Sequence, residues 1–268
     1  MRTPLNASRP LLSLGVALTA LQGCSGHGGG GSDVQASASG DANPAGVWQG
    51  SFTADDGTTR GFSVIAAPDG LFAGVVASSG TNGRFVIGTG DTTLNLFSAT
   101  GTVFAQAGEA LLPNGHSSDV LSVSSGNIVE RVSLKGSYSG GGESASFALA
   151  YDDGLSSRGA SLEALAGVYD VYPPPLVNTA TLVVNGSSLT LATDGGCNGA
   201  GTIAVIDPTM NIYSWSMLIG ACGGVEEDTL SGLASLADNP RKGGTRNLIA
   251  LYGATANHDR SFVFRGFK

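Results

Sequence analysis

Histidine, cysteine and lysine each occur only three times in 268 residues. That scarcity narrows the chemistry. With 13 basic against 21 acidic residues and a net charge of −8, the chain lacks the clustered cations that grip phosphate, so nucleic acid is not an expected partner. No Cys-x-x-Cys spacing is present, and Cys197, Cys222 and His258 together fall one ligand short of a zinc site. No metal and no cofactor is expected. His116 stands beside Ser117, Ser118 and Asp119, but neighbours in sequence do not make triad geometry, and "PNGHSSD" reads as a polar turn. No Gly-x-Ser-x-Gly elbow, phosphate loop or calcium loop occurs; "GSYSG" has Tyr138 at its centre. No nucleophile, base and orienting group can be assembled, so the chain is not expected to be an enzyme. The longest apolar run, near Leu11 to Leu21, is too short to span a bilayer.

What the chain does have is glycine, 42 residues of it, and short apolar-polar alternations separated by turn residues. Asp55-Asp56-Gly57, Pro68-Asp69-Gly70, Asn82-Gly83 and Asp152-Asp153-Gly154 are hairpin-turn chemistry rather than calcium ligands. In the first half "GVWQGSFT", "RGFSVIAA", "LFAGVVAS", "RFVIGTG", "TLNLFSA", "GTVFAQA", "NIVERVSLKG" and "SASFALAY" read as strands. In the last of these, Ala145, Phe147, Leu149 and Tyr151 share one face. The second half offers "GVYDVY", "TATLVV", "SLTLAT", "GAGTIAVI", "NIYSWSMLI", "DTLSGLASLA", "RNLIALYG" and "RSFVFRGF". Eight strands per half are enough to close a small barrel, although an open sandwich fits the same pattern.

The halves echo one another. "AGVW" at Ala45 answers "AGVY" at Ala166, and the spacings from those alanines to Phe147 and Phe262 are 102 and 96 positions. The expected fold is all-β: two similar antiparallel barrels or barrel-like domains in tandem, residues 45–155 and 160–268. "YDDGLSSRGA" (151–160) reads as an exposed linker between separable units, and "SLEALAG" after it as one short helical turn ended by Gly167.

The N-terminus is of a different kind. Arg2 and Arg9 flank the apolar run, which ends in Leu21-Gln22-Gly23-Cys24. This resembles the lipobox of bacterial lipoproteins, which implies a signal peptide over residues 1–23 and acylation of Cys24. Ser25, in place of Asp, implies the outer membrane by resemblance to enterobacterial sorting. Residues 24–44 are mainly Gly, Ser, Ala, Asp and Asn with no apolar period, and so are expected to form a flexible tether. "CSGHGGGGSD" is similar to the anchors of surface-displayed lipoproteins. Without residues 1–23 the balance is 11 basic to 21 acidic, or −10.

Gly46-Val47-Trp48-Gln49-Gly50 resembles the opening of uncharacterised proteobacterial lipoproteins with paired Gly-x-Trp-x-Gly β-domains. Gly167-Val168-Tyr169-Asp170-Val171 departs from it at the aromatic and the second glycine. Gly-x-Trp also resembles lipocalin-type barrels, where the aromatic lies under a basic side chain from the last strand; the resemblance assigns that part to Arg265, above Tyr169. Cys197 and Cys222, in "GGCNG" and "GACGG" of an exported chain, are expected to pair, closing a loop of about 26 residues worth roughly 3 to 4 kcal/mol in the chain-entropy model. Tyr169 and Tyr172 lead into Pro173-Pro174-Pro175, a stiff polyproline segment beside aromatics. This is the expected binding edge. Three functions stay open: a lipid-anchored envelope module that binds a protein or a small apolar ligand, an envelope spacer without a ligand, and a hydrolase with an unrecognised site. A cavity in a barrel would favour the small ligand, and an exposed aromatic edge the protein.

Overall fold

The computed structural model describes residues 40–77, 83–106, 110–172, 180–194, 196–221, 226–239 and 244–268. It contains two closed antiparallel barrels of eight strands each, both simple up-and-down meanders. Barrel 1 comprises β1 (Gly46–Ala54), β2 (Thr59–Ala66), β3 (Leu71–Val76), β4 (Arg84–Thr93), β5 (Leu96–Ala105), β6 (Ser118–Val129), β7 (Ser133–Gly140) and β8 (Glu143–Tyr151). It closes where β1 pairs with β8, Trp48 opposite Tyr151. Two helical turns follow, α1 (Asp153–Ser156) and α2 (Leu162–Leu165). Barrel 2 comprises β9 (Gly167–Tyr172), β10 (Ala180–Asn185), β11 (Ser188–Thr193), β12 (Gly199–Asp207), β13 (Ile212–Ile219), β14 (Asp228–Asn239), β15 (Gly244–Thr255) and β16 (Ser261–Phe267). It closes where β16 pairs with β9.

Period-two alternation fills each interior. Along β8, Ala145, Phe147 and Leu149 point inward and are buried, as the sequence predicts. Phe147 joins Phe52, Val64, Leu121 and Tyr138 inside barrel 1. Leu182, Leu189, Trp215, Leu251 and Phe264 do the same in barrel 2. All eight predicted strands of the second half are present. In the first half the count of eight is right, but two strands are composed differently. "TLNLFSA" and "GTVFAQA" are mainly one strand, β5, and the serine-rich "SDVLSVSSG" before Asn127 is the first three-quarters of β6. Small polar residues around Leu121 and Val123 hide a strand whose inward positions are apolar.

The repeated opening is a structural equivalence. The Trp48 indole N–H donates to Pro44 O at 2.8 Å, and the Tyr169 hydroxyl donates to Leu165 O at 2.6 Å, four residues back in each case. Two residues before each ring stands a glycine at positive φ, Gly46 at 142° and Gly167 at 154°, a region other residues avoid. A Cβ on Gly46 would lie 2.3 Å from the Tyr151 ring. Gly167 therefore opens β9 rather than ending α2. The basic side chain over Tyr169 is Lys268, not Arg265: its ammonium lies 5.1 Å from the ring centre and donates to Ala164 O and Ala166 O, both at 3.1 Å. Arg265 sits between the inward Phe264 and Gly266, so alternation turns it to the exposed outer face.

The two barrels pack against each other. Residues 39–268 form one compact unit. Strands β2 to β5 are apolar on their outer face as well, where Ile65, Ala73, Val75, Phe85, Ile87 and Phe104 pack against Ile212, Leu233, Ala250, Tyr252 and Ala254 of barrel 2. Phe85 is fully buried between Phe104, 5.8 Å away, and Tyr252, 6.2 Å away. The join is not an exposed linker. Ser156 is buried, and its hydroxyl accepts from Val47 N–H at 2.8 Å. Asn211, also buried, donates to Leu155 O and Leu236 O at 3.1 and 2.6 Å and accepts from Leu236 N–H at 3.1 Å. Arg158 forks onto Asp238 of β14 at 2.6 and 2.9 Å. That pairing and the Arg246 amide hold the Asp238 carboxyl below the usual range.

Candidate functional site

The outer faces of the barrels diverge at one side of the shared apolar contact and leave a cleft of ≈ 500 Å³. Gly88, Gly101 and Gly232 lie in its walls. Gly88 faces Gly101 across β4 and β5, and Gly232 faces Gly253 across β14 and β15. A Cβ on Gly88 would lie 2.2 Å from Thr100 O, and one on Gly232 would lie 1.9 Å from Tyr252 O, so only glycine permits these close strand crossings. Leu71, Ile87 and Trp215 contribute apolar surface to the cleft, while Thr89, Thr100, Ser214 and Ser231 add hydroxyls. Among the described residues its lining holds no Asp, Glu, Lys or Arg. The Trp215 indole N–H is already used within the fold, on Leu233 O and Tyr252 O at 3.1 and 3.3 Å.

His258 stands at the edge of the cleft in the turn between β15 and β16. Its Nδ1 lies 2.9 Å from Thr102 Oγ1 of barrel 1, a tie between the barrels. Its backbone is left-handed, φ 55°, an uncommon state for a residue with a Cβ, stabilised by its N–H on Thr255 O at 2.9 Å. Volume, position between two folded bodies and an apolar surface set with neutral polar groups match the usual features of a ligand site. The surface suits an uncharged molecule that bears hydroxyl or amide groups on one side and an apolar face on the other.

Barrel 1 offers much less room. Its interior cavity is ≈ 40 Å³, space on the order of a water molecule or two. At the end away from Trp48, Arg60 lies 3.6 Å from Glu143 and 5.5 Å from the Phe52 ring centre. Arg84 donates to Gly83 O, Ala110 O and Leu111 O at 3.1, 3.2 and 3.4 Å, which fastens the segment carrying buried Leu112 over the barrel end. The Tyr138 hydroxyl donates to Gly140 O at 3.2 Å, and burial pushes its phenol well above the usual range.

Of the residues expected to form a binding edge, only Tyr169 has a described side chain. Tyr169 is fully buried; alternation along β9 turns it into the core, and burial raises its phenol pKa. It is a core residue and not a contact for a partner. The Tyr172 backbone pairs with Arg265, while Pro173, Pro174 and Pro175 lie outside the described residues. So do Cys24 and Cys222. Cys197 is buried, its N–H donating to Thr193 Oγ1 at 2.9 Å. His116 lies in a turn, as expected, its N–H on Asn114 Oδ1 at 3.1 Å. Sequence reasoning missed the cleft because its lining comes from the outer faces of strands distant in the chain. Only the glycine pairs were visible signals.

The site and fold define a fused pair of meander barrels with a neutral cleft between them. Compared with known proteins, the chain matches no family model, no curated protein and no solved structure. Among the described residues no group of three or more His, Cys, Asp or Glu could hold a metal ion, and no helix is long and apolar enough to cross a membrane.

Proposed function

We propose that the chain is a lipid-anchored, non-enzymatic binding protein of the bacterial envelope, held at the outer membrane through Cys24. It engages an uncharged ligand in the cleft between its barrels, either a small amphipathic molecule or a segment of an envelope or extracellular protein. The observation that carries this reading is the contrast in space: ≈ 500 Å³ between the barrels against ≈ 40 Å³ inside barrel 1. Thr100→Trp tests it. Thr100 is exposed on the cleft wall, so an indole there fills the cleft without entering either core. Envelope extract passed over the native chain is expected to leave a bound species, identified by mass spectrometry, that Thr100→Trp loses at an unchanged melting temperature. Equal retention by both chains sinks the cleft as the site.

A second reading, an envelope spacer with no ligand, draws support from the filled interior of barrel 1 and the tightly held join. In that case neither chain retains anything.

We also propose that Cys197 and Cys222 are paired. The β12–β13 ladder runs from Gly199 opposite Ile219 on to Gly220 N–H donating to Asn198 O at 2.8 Å. One further step in that register would set Cys197 opposite Ala221, the residue before Cys222 in the chain, which supports the pairing. An intact-mass count on the purified, non-reduced chain is expected to find neither sulfur alkylated. Two alkylated thiols at these positions would rule the bridge out.

A further inference from the structure

We infer that the Trp48 end of barrel 1 is a lipid-docking face, which sets the orientation of the body on the membrane that anchors it. The inference rests on the lipid-anchored reading above. Two turns lie side by side at this end, between β4 and β5 and between β6 and β7. They are tied by Ile128 N–H donating to Asn95 O at 2.8 Å and by the pairing of Leu96 with Asn127. Between them they expose Leu94 and Leu96, each 61% accessible, with Val129 at 48% and Val132 at 60%. These are four of the eight exposed large apolar residues in the described structure, gathered at two adjoining turns. Leu94 departs from ordinary turn chemistry twice over. It holds a left-handed backbone, φ 58°, where glycine or asparagine is favoured, and presents its side chain to solvent.

What identifies the occupant is where the chain comes from. The described body starts at Gly40, and its first residues run directly across these turns. Leu94 N–H donates to Asp41 Oδ1 at 2.7 Å, Ala42 N–H donates to Leu94 O at 2.8 Å, and Asn43 N–H donates to Glu130 Oε2 at 3.3 Å. Residues 41–43, which join the body to the segment that carries Cys24, therefore lie beside the exposed apolar residues. An acyl anchor about 15 residues upstream keeps the bilayer within reach, since a glycine-rich chain of that length spans roughly 20 Å. Apolar side chains held that close to a membrane enter the boundary between headgroups and acyl chains. Beside these turns Asp41 accepts from Leu94 N–H and Glu130, next to Arg131 in the chain, accepts from Asn43 N–H, so no cationic patch is formed; the contact is apolar rather than electrostatic and is expected to be insensitive to salt. Four side chains orient the body; the acyl chains hold it.

The test uses the full acylated chain in vesicles of phosphatidylethanolamine and phosphatidylglycerol with brominated acyl chains. Leu96→Trp places a reporter on the face. Leu218→Trp, on the exposed outer side of β13, is the control. Trp48 and Trp215 are buried and contribute alike to both. The tryptophan at position 96 is expected to lose emission about twofold, the one at 218 to change little, since interfacial residues reach the brominated region and distant ones do not. Adding Leu94→Ser and Val132→Ser to the Leu96→Trp chain should remove the quenching and leave vesicle flotation intact. Flotation with equal quenching at 96 and 218 overturns the docking face alone. Protection at 96 that grows with protein concentration and yields cross-linked pairs overturns it in favour of a second copy on the same face. Failure of the acylated-strain product to float removes the anchor reading, and the docking face with it.

Discussion

Phe85→Ala is expected to destabilise both barrels together, by about 3–5 kcal/mol, the usual range for removing a large aromatic from a core. Phe85 points out of barrel 1, not into it, yet it is fully buried because barrel 2 covers it. Its ring lies against Tyr252 of β15 as well as Phe104 of β5. The chain supplies its own reporters, since its two tryptophans fall one in each barrel, Trp48 and Trp215. In urea, Trp48→Phe leaves Trp215 to follow barrel 2, and Trp215→Phe leaves Trp48 to follow barrel 1. The Phe85→Ala shift should be the same through either reporter, as one cooperative unit requires. A shift seen only through Trp48 would mean two independent units that merely touch.

Cys24→Ala is expected to abolish metabolic palmitate labelling and to release the protein from the membrane fraction. Each buried methylene contributes about 0.8 kcal/mol, so a cysteine carrying several acyl chains is anchored stably where one chain would be marginal. Among the described residues no helix is long and apolar enough to cross a membrane. The four exposed apolar side chains near the start of the body amount to far fewer buried methylenes than the acyl chains. Labelled Cys24→Ala protein that stays in the membrane fraction would defeat the lipoprotein reading.

Much of the architecture was legible in residue order. Period-two alternation marked the strands, and glycine before an aromatic marked the start of each barrel. The Gly46/Trp48 and Gly167/Tyr169 pairs proved equivalent down to the carbonyl each ring bonds four residues back. These are local facts, because a strand's inward positions and a glycine's φ depend on the nearest few residues. Tyr169 was misplaced by the same local logic taken one step short. Beside a proline run it reads as an exposed edge, but its parity with Val171 turns it inward.

The sequence by itself determined an all-β chain of sixteen strands in two repeats, because alternation and turn chemistry are written within each segment. Tertiary structure alone decided what covers the second face of "LFAGVV" and "RFVIG". Those strands are apolar on both sides, and only the approach of β13 to β15 makes the outer side a core. It also decided that Lys268, not Arg265, lies over Tyr169, that hydroxyl residues from both halves share one cleft, and that Leu94 and Val129 emerge from adjoining turns where the chain enters barrel 1. Each depends on which surfaces meet across long stretches of chain, and period-two patterning carries no information about the partner of an outward face.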